Sequence, residues 1–259
     1  MKNYTSLICV LSLCALIMQD ATADEIIKLR GGASNNSYEL DFIPLTPTAL
    51  NPVQQPFALT SYNGTNYGIT FLLGESAYID IAGSTGTGTY NRPAYVGNLQ
   101  RNDTAVILGM NAGSMSSVIG NFYFGYKSGE TKLNPPTTAQ SGSSNLDFTA
   151  AGMVLGGGLG IPLADGKAGL LGINLGLGIM GAKYDRQDVG YSPYSTAHAD
   201  TAFGFNYGLM YTFPFTKNFG ITLDYKNTSY VYTFDSGLTT QTEIDEKVTS
   251  TLASLYVKF

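Results

Sequence analysis

The sequence predicts an all-β fold: an antiparallel, transmembrane, up-and-down β-barrel of about ten strands, with about eight or twelve as the alternatives. Three observations lead there. Segments along the chain repeat with a period of two, the side-chain period of a strand and not of a helix. In the clearest of them one face is an unbroken apolar row. The opposite face is small and uncharged, where a half-buried soluble strand would carry Lys, Glu or Thr. The connections alternate short and long, as in barrels that cross a membrane with tight turns at one end and long loops at the other.

The pattern is plainest from Ala151 to Met180, where a polar turn, Ala164-Asp165-Gly166-Lys167, separates two segments. In the second, Leu171, Ile173, Leu175, Leu177 and Ile179 oppose Gly172, Asn174, Gly176, Gly178 and Met180. The first sets Met153, Leu155, Leu159 and Ile161 against Gly152, Val154, Gly156, Gly158 and Gly160. From Ala202 to Phe213, the residues Phe203, Phe205, Tyr207, Leu209, Tyr211 and Phe213 all fall on one side. Such rows need an apolar environment along their length, a second sheet or lipid. A soluble barrel would expose a patch far beyond the few hundred Å² that soluble proteins tolerate. This disfavours the alternative of a secreted soluble barrel that binds small apolar ligands.

Taken in order, Met1 to Ala23 reads as a secretory signal peptide: Lys2, an apolar core from Leu7 to Met18, and the small-x-small pattern Ala21-Thr22-Ala23. Residues 24–259 then form one barrel domain. Asp24 to Gly32 is the first strand, with Lys28 and Arg30 on one face. Ala33 to Asn66 reads as a loop punctuated by Pro44, Pro47, Pro52 and Pro56. Inside it, Tyr38 to Ile43 and Phe57 to Tyr62 are a hairpin on the loop or two further strands, and Asn63-Gly64 reads as a hairpin turn. Tyr67 to Leu73 turns at Gly74-Glu75 into Ala77 to Gly83. Ser84 to Asn102 reads as a long loop. Thr104 to Ala112 and Val118 to Lys127 pair around Gly113-Ser114, and Ser128 to Asn145 is a polar loop with Pro135-Pro136. After the Gly/Leu hairpin comes a loop from Asp185 to Asp200, then Ala202 to Phe213, turned at Thr216-Lys217 into Phe219 to Lys226. The apolar phase slips near Thr228, which places Tyr230, Tyr232 and Phe234 after a bulge or above the membrane. The alternation of connections puts both termini at the periplasmic end.

Both cysteines of the chain, Cys9 and Cys14, fall in the signal segment, and His198 is the one histidine. A disulfide scaffold, a thiolate metal site and a multi-histidine metal centre are therefore excluded, and no cofactor is expected. A net charge of −5 argues against a nucleic-acid partner.

The last segment, Val248 to Phe259, ends on an aromatic residue with Val257, Leu255 and Ala253 in phase behind it. This resembles the C-terminal assembly signal of bacterial outer-membrane barrels, with Val257 standing where Tyr is more usual. The layout of the whole mature chain resembles the small OmpA/OmpW-type barrel proteins. That resemblance implies a monomer in the bacterial outer membrane, surrounded by lipid and lipopolysaccharide and inserted by the barrel-assembly machinery.

Charges on the strands fall mostly on the Gly/polar face: Lys28, Arg30, Asp80, Lys127, Asp224, Lys226 and Lys258. In a barrel that face is the lumen, because a charge facing lipid at mid-depth costs about 2–4 kcal/mol. They read as an internal ion-pair network or the lining of a narrow solute path, with Tyr78, Tyr123, Tyr256 and Met210 reaching across to fill the interior. The expected protein is a structural or surface barrel, or a passive channel with at best a small, weakly anion-preferring conductance. It is not expected to be an enzyme. The catalytic alternative is a lipid A-modifying enzyme or protease with a rim site at His198, Asp235 and Ser236, since pairing across Thr216-Lys217 brings residue 198 opposite about residue 233. The paired-aspartate and Asp-x-His patterns of outer-membrane proteases and the His-x-Ser pattern of lipid A deacylases are absent. Gly156-Gly157-Gly158 lacks the following helix and Lys of a phosphate loop and reads as lumen space. Glu243 to Glu246 reads as a solvated acidic loop.

Deletion of Phe259 is expected to impair assembly, seen as loss of heat-modifiable gel mobility and accumulation of periplasmic chain; unchanged assembly at normal expression would refute the terminal-signal reading.

Overall fold

A computed structural model describes residues 27–44, 58–74, 76–92, 95–113, 118–134, 144–188, 195–234 and 242–259. The signal segment, Asp235, Ser236 and residues 45–57, 93–94, 135–143 and 189–194 of the predicted loops lie outside them. Ten strands run β1 (Ile27–Pro44), β2 (Ala58–Leu73), β3 (Ala77–Arg92), β4 (Tyr95–Ala112), β5 (Ile119–Asn134), β6 (Ser144–Pro162), β7 (Leu170–Asp188), β8 (Ser195–Pro214), β9 (Phe219–Phe234) and β10 (Thr242–Lys258). Each pairs antiparallel with its sequence neighbour, and β1 pairs with β10 to close the barrel. That seam is in continuous register from Lys28↔Lys258 to Pro44↔Thr242. At its foot the Phe259 N–H donates to the Ile27 carbonyl at 2.9 Å and the Ile27 N–H donates to Phe259 at 3.2 Å.

Outward faces carry the predicted apolar rows. Phe203 is 68% exposed, Leu175 and Leu177 are each 64% exposed, and Phe122, Met153 and Leu255 continue the band around the wall. At the seam Leu255, Val257 and Phe259 all point outward and are exposed. No helix among the described residues is long and apolar enough to span a membrane.

The turns at one end follow the expected chemistry. Between β6 and β7, Ala164, Asp165 and Gly166 take φ of 48°, 55° and 81°, and the Lys167 N–H closes back on the Ala164 carbonyl at 3.1 Å. This left-handed turn is what the small residues and Gly permit.

At the other end the strands run longer than predicted. Ser84–Asn102 is not a loop: β3 and β4 are separated only by residues 93 and 94, with pairing kept up to Arg92↔Tyr95. The predicted loop from Ala33 to Asn66 is mostly the upper parts of β1 and β2. Its two alternating pieces belong to those strands, and Asn63-Gly64 lies inside β2, paired across Asn63↔Thr87 and Gly64↔Gly86. Likewise Glu243 to Glu246 belongs to β10. These stretches are polar outside and so have the composition of loops; their ladder hydrogen bonds hold them as strand. At 16 to 20 residues the strands exceed the ~9–11 that a hydrocarbon core needs.

The predicted bulge near Thr228 is also corrected. β9 pairs with β8 and β10 without a break, and among the described residues the one register shift is in β7–β8, between Met180 and Ala182. Tyr230, Tyr232 and Phe234 stay on the inward face and are buried. What changes is the content of the lumen. Above the belt it is filled by a dry layer in which Tyr38, Leu40, Leu99, Leu133, Leu146, Phe148, Tyr232 and Ile244 are at most 1% exposed. Phe148 and Tyr232 meet edge to face at 5.2 Å. Below that layer the inward face is rich in glycine, and large side chains lie flat on it. A Cβ on Gly109 would come within 2.1 Å of Tyr78, one on Gly156 within 2.4 Å of Tyr123, and one on Gly220 within 2.5 Å of Tyr256.

Gly204→Ala is expected to destabilise the barrel by about 1–3 kcal/mol, because its Cβ would sit 2.1 Å from the Tyr230 ring and 2.3 Å from the Ser229 carbonyl. Urea unfolding in lipid vesicles measures this, and Tyr230→Leu in the same background should recover part of the loss.

Candidate functional site

Beneath the dry layer the lumen holds an internal cavity of about 660 Å³. It extends down to Leu72, Asn111, Ile119 and Leu170, the inward residues next to the short turns, and up to Tyr62, Tyr230 and Val248. Six of the seven predicted lumen charges line it: Lys28, Arg30, Asp80, Lys127, Asp224 and Lys226. The seventh, Lys258, pairs with Lys28 at the foot of the seam. Tyr78, Tyr123 and Met210 line the cavity as expected, while Tyr256 is buried under Lys28, whose Nζ lies 4.5 Å above its ring.

Strand register decides which charges meet. β2 brings Thr70 directly opposite Asp80 of β3 and Lys28 of β1. The Arg30 guanidinium then lies across Gly68 and donates to both Asp80 carboxylate oxygens, at 2.5 and 2.7 Å. Thr70 joins both: its hydroxyl accepts from Arg30 at 2.9 Å and donates to Asp80 at 2.7 Å. This fork-to-fork pair is the strong kind of ion pair and fixes both side chains on one wall. Lower on the wall, the Tyr78 hydroxyl accepts from Asn121 at 2.9 Å.

A second cluster was not predicted. Arg101 is 3% exposed and holds Asp103 with two nitrogens, at 2.8 and 3.0 Å. Its remaining terminal nitrogen donates to Glu246 at 2.6 Å and to Thr131 at 2.7 Å. The Tyr232 hydroxyl donates to the other Glu246 oxygen at 3.1 Å, and the guanidinium lies 4.9 Å from the Tyr38 ring centre. Burial by itself would lower the Arg101 pKa, but Asp103 and Glu246 hold it well above its ordinary value. The cluster is the polar floor of the dry layer, spanning β1, β4, β5, β9 and β10. Glu246 is therefore buried and paired, in contrast to the solvated acid read from the sequence. Arg101 falls in the stretch that reads as loop, and Asp103 between that stretch and the strand predicted from Thr104, so neither is expected inside the wall. The available signal was the inverted phase of Tyr38, Leu40, Tyr230 and Tyr232, which marks a dry interior.

The remaining acids of that stretch face outward, where Asp245 stands directly opposite Asp41. Burial, with Glu39 alongside, pushes the Asp41 carboxyl up to about 6. The rim cluster around His198 is not assembled among the described residues. His198 is exposed and pairs with Lys183, and the β7–β8 irregularity shifts its register. No group of three or more potential metal ligands occurs among the described residues.

No protein-family model matches the chain, and no curated protein matches it. Its fold is that of solved bacterial outer-membrane barrels. The outer membrane protease OmpT from Escherichia coli superposes with a TM-score of 0.66 at 9% identity, covering 92% of this chain and 98% of that one. The translocator domain of the autotransporter NalP from Neisseria meningitidis gives 0.49 at 10% identity, covering 99% and 96%. The outer membrane protein OprG from Pseudomonas aeruginosa gives 0.46 at 9%, covering 92% and 98%. At these identities the likeness is one of fold.

Arg101→Met is expected to cost about 3–5 kcal/mol, because it strands Asp103 and Glu246 in a buried site. Combining it with Asp103→Asn and Glu246→Gln should restore most of that loss in urea unfolding, and failure to do so would mean that the cluster acts through packing alone.

Proposed function

We propose that the protein is a bacterial outer-membrane barrel that stands closed in the membrane as a structural or surface component, and that it is not an enzyme. The short turns and both termini face the periplasm, and the tall upper strands with their polar outer faces rise above the lipid into the lipopolysaccharide layer. The observation that carries this reading is the dry layer. Tyr38, Leu99, Leu133, Leu146, Phe148 and Tyr232 come from five different strands, meet within the barrel and leave almost no accessible surface. A water-filled path cannot run through a layer packed to this density.

The apolar belt supports the membrane setting, since lipid is the environment that accepts a closed ladder of strands with aliphatic outer faces. Several features support a non-catalytic role. His198 sits on an outward face, the protease motifs are absent from the sequence, and the buried ionisable groups above the cavity are used up in pairing one another. A narrow passive channel is the second reading, favoured by the charged cavity beneath the layer. It requires the layer to open.

Planar-bilayer recordings of the refolded protein separate the two. Sustained conductance is expected to be absent, and Phe148→Ala with Tyr232→Ala is expected to create one. Steady channels in the unmodified protein, small and anion-preferring, would favour the second reading.

A further inference from the structure

We infer that the lumen cavity is a binding site for a small organic carboxylate, held between Lys127 of β5 and Lys226 of β9 and reached from the end of the barrel that carries the short turns. This goes beyond the closed-barrel reading, on which the route of access rests; the site itself does not.

The charges that line the cavity do not cancel. Four cations, Lys28, Arg30, Lys127 and Lys226, face three carboxylates, Asp80, Asp103 and Asp224, which leaves one positive charge. The carboxylates are not equally available. Asp80 is taken by Arg30 and Thr70, and Asp103 by two nitrogens of Arg101. Asp224 lies within the fields of Arg30, Lys226 and Lys28 and is shared among them. Among the described residues, neither Lys127 nor Lys226 has a hydrogen bond or an ion pair; the only partner of Lys127 is the Tyr230 ring, 6.0 Å away. Both lysines line the same cavity, Lys127 beside the Tyr230 ring of the strand that carries Lys226, and each bears on the other and on Asp103.

Water reaches this place. Lys226 points inward at mid-height of the barrel and is nevertheless solvent-accessible, so the space around its ammonium is open lumen. Two neighbouring ammonium groups in a low-dielectric wall repel each other, and an anion between them removes that repulsion. One monoanion also brings the lining to neutrality. Around the pair the wall offers Val154, Thr228 and Tyr230, surfaces suited to an aliphatic or aromatic body. The amide of Asn206 offers a further donor to a carboxylate oxygen. At about 660 Å³ the chamber is of the size that holds a small molecule. The dry layer above makes it a blind chamber, so access is from the other end.

The test uses the refolded mature chain in dodecyl maltoside with 4-fluorobenzoate as the probe, followed by fluorine NMR. Saturable binding is expected, weakened at least tenfold by Lys127→Met with Lys226→Met, strengthened by Asp224→Asn, and unchanged by Lys167→Met in the turn. The uncharged 4-fluorobenzamide should bind at least tenfold more weakly. Absence of binding at millimolar probe, equal binding of the amide, or indifference to the double substitution would each overturn the proposal. Should the double variant fail to give the heat-modifiable folded form, reductive methylation of the unmodified protein decides. The probe is expected to slow modification of Lys127 and Lys226 but not of Lys167 or Lys217, and equal rates with and without it would overturn the site.

Discussion

The seam between β1 and β10 is the interaction on which the rest of this structure depends. In an apolar surround each unpaired backbone N–H or carbonyl at a sheet edge costs several kcal/mol, so a wall of strands is admissible only when it closes. Here closure joins the two ends of the chain, from Lys28↔Lys258 up to Pro44↔Thr242, and uses the backbone of Phe259 as its lowest rung. Ten strands joined in this way enclose more space than an eight-stranded wall, whose interior side chains just fill. How that space is filled accounts for most of the remaining sequence. Large inward residues come from some strands and glycines from their neighbours, so that Arg30 lies across Gly68, Tyr123 across Gly156 and Tyr230 across Gly204. Each large side chain gains a flat backbone surface to pack on, and each glycine is covered.

Much of this was legible in the residues alone. The period-two rows of β6 to β8 identified the wall and its lipid face. They also set the phase that placed Lys28, Arg30, Asp80, Lys127, Asp224 and Lys226 inside. The heights of the strands were not legible. A stretch such as Ser84 to Asn102, rich in Thr, Gly, Asn and Ser, has loop composition. Above the belt, however, a strand's outer face meets water and can be polar while the ladder hydrogen bonds remain. The Arg101–Glu246 pair was hidden for a different reason. Its partners are 145 positions apart in the chain and meet only because the wall is closed and staggered. The rim site expected at His198, Asp235 and Ser236 lies partly outside the described residues; within them His198 faces outward opposite Lys183, next to the shift between Met180 and Ala182.

The apparent slip of phase near Thr228 shows how the two halves of the barrel are related. No residue is inserted there: β9 keeps register with both neighbours from Phe219 to Phe234. Instead the apolar residues change sides. In β9, Leu223 and Tyr225 face out below, and Tyr230 and Tyr232 face in above. The same exchange occurs from Phe124 to Leu133 in β5, from Met153 to Phe148 in β6, and from Leu255 to Ile244 in β10. Around the wall these exchanges trace one level, which is where the surrounding medium changes from hydrocarbon to water. Below it the barrel is inside out, apolar without and polar within. Above it the same strands form an ordinary barrel with its core inside. Arg101 and Glu246 stand at that boundary on the inner side. A buried ion pair there adds little net stability over an apolar substitute, but it ends the core on one side and begins the wet chamber on the other. Arg101 also takes up Asp103, which would otherwise be free to neutralise one of Lys127 and Lys226. The packing that seals the top of the lumen and the charge that remains free beneath it therefore have a single cause.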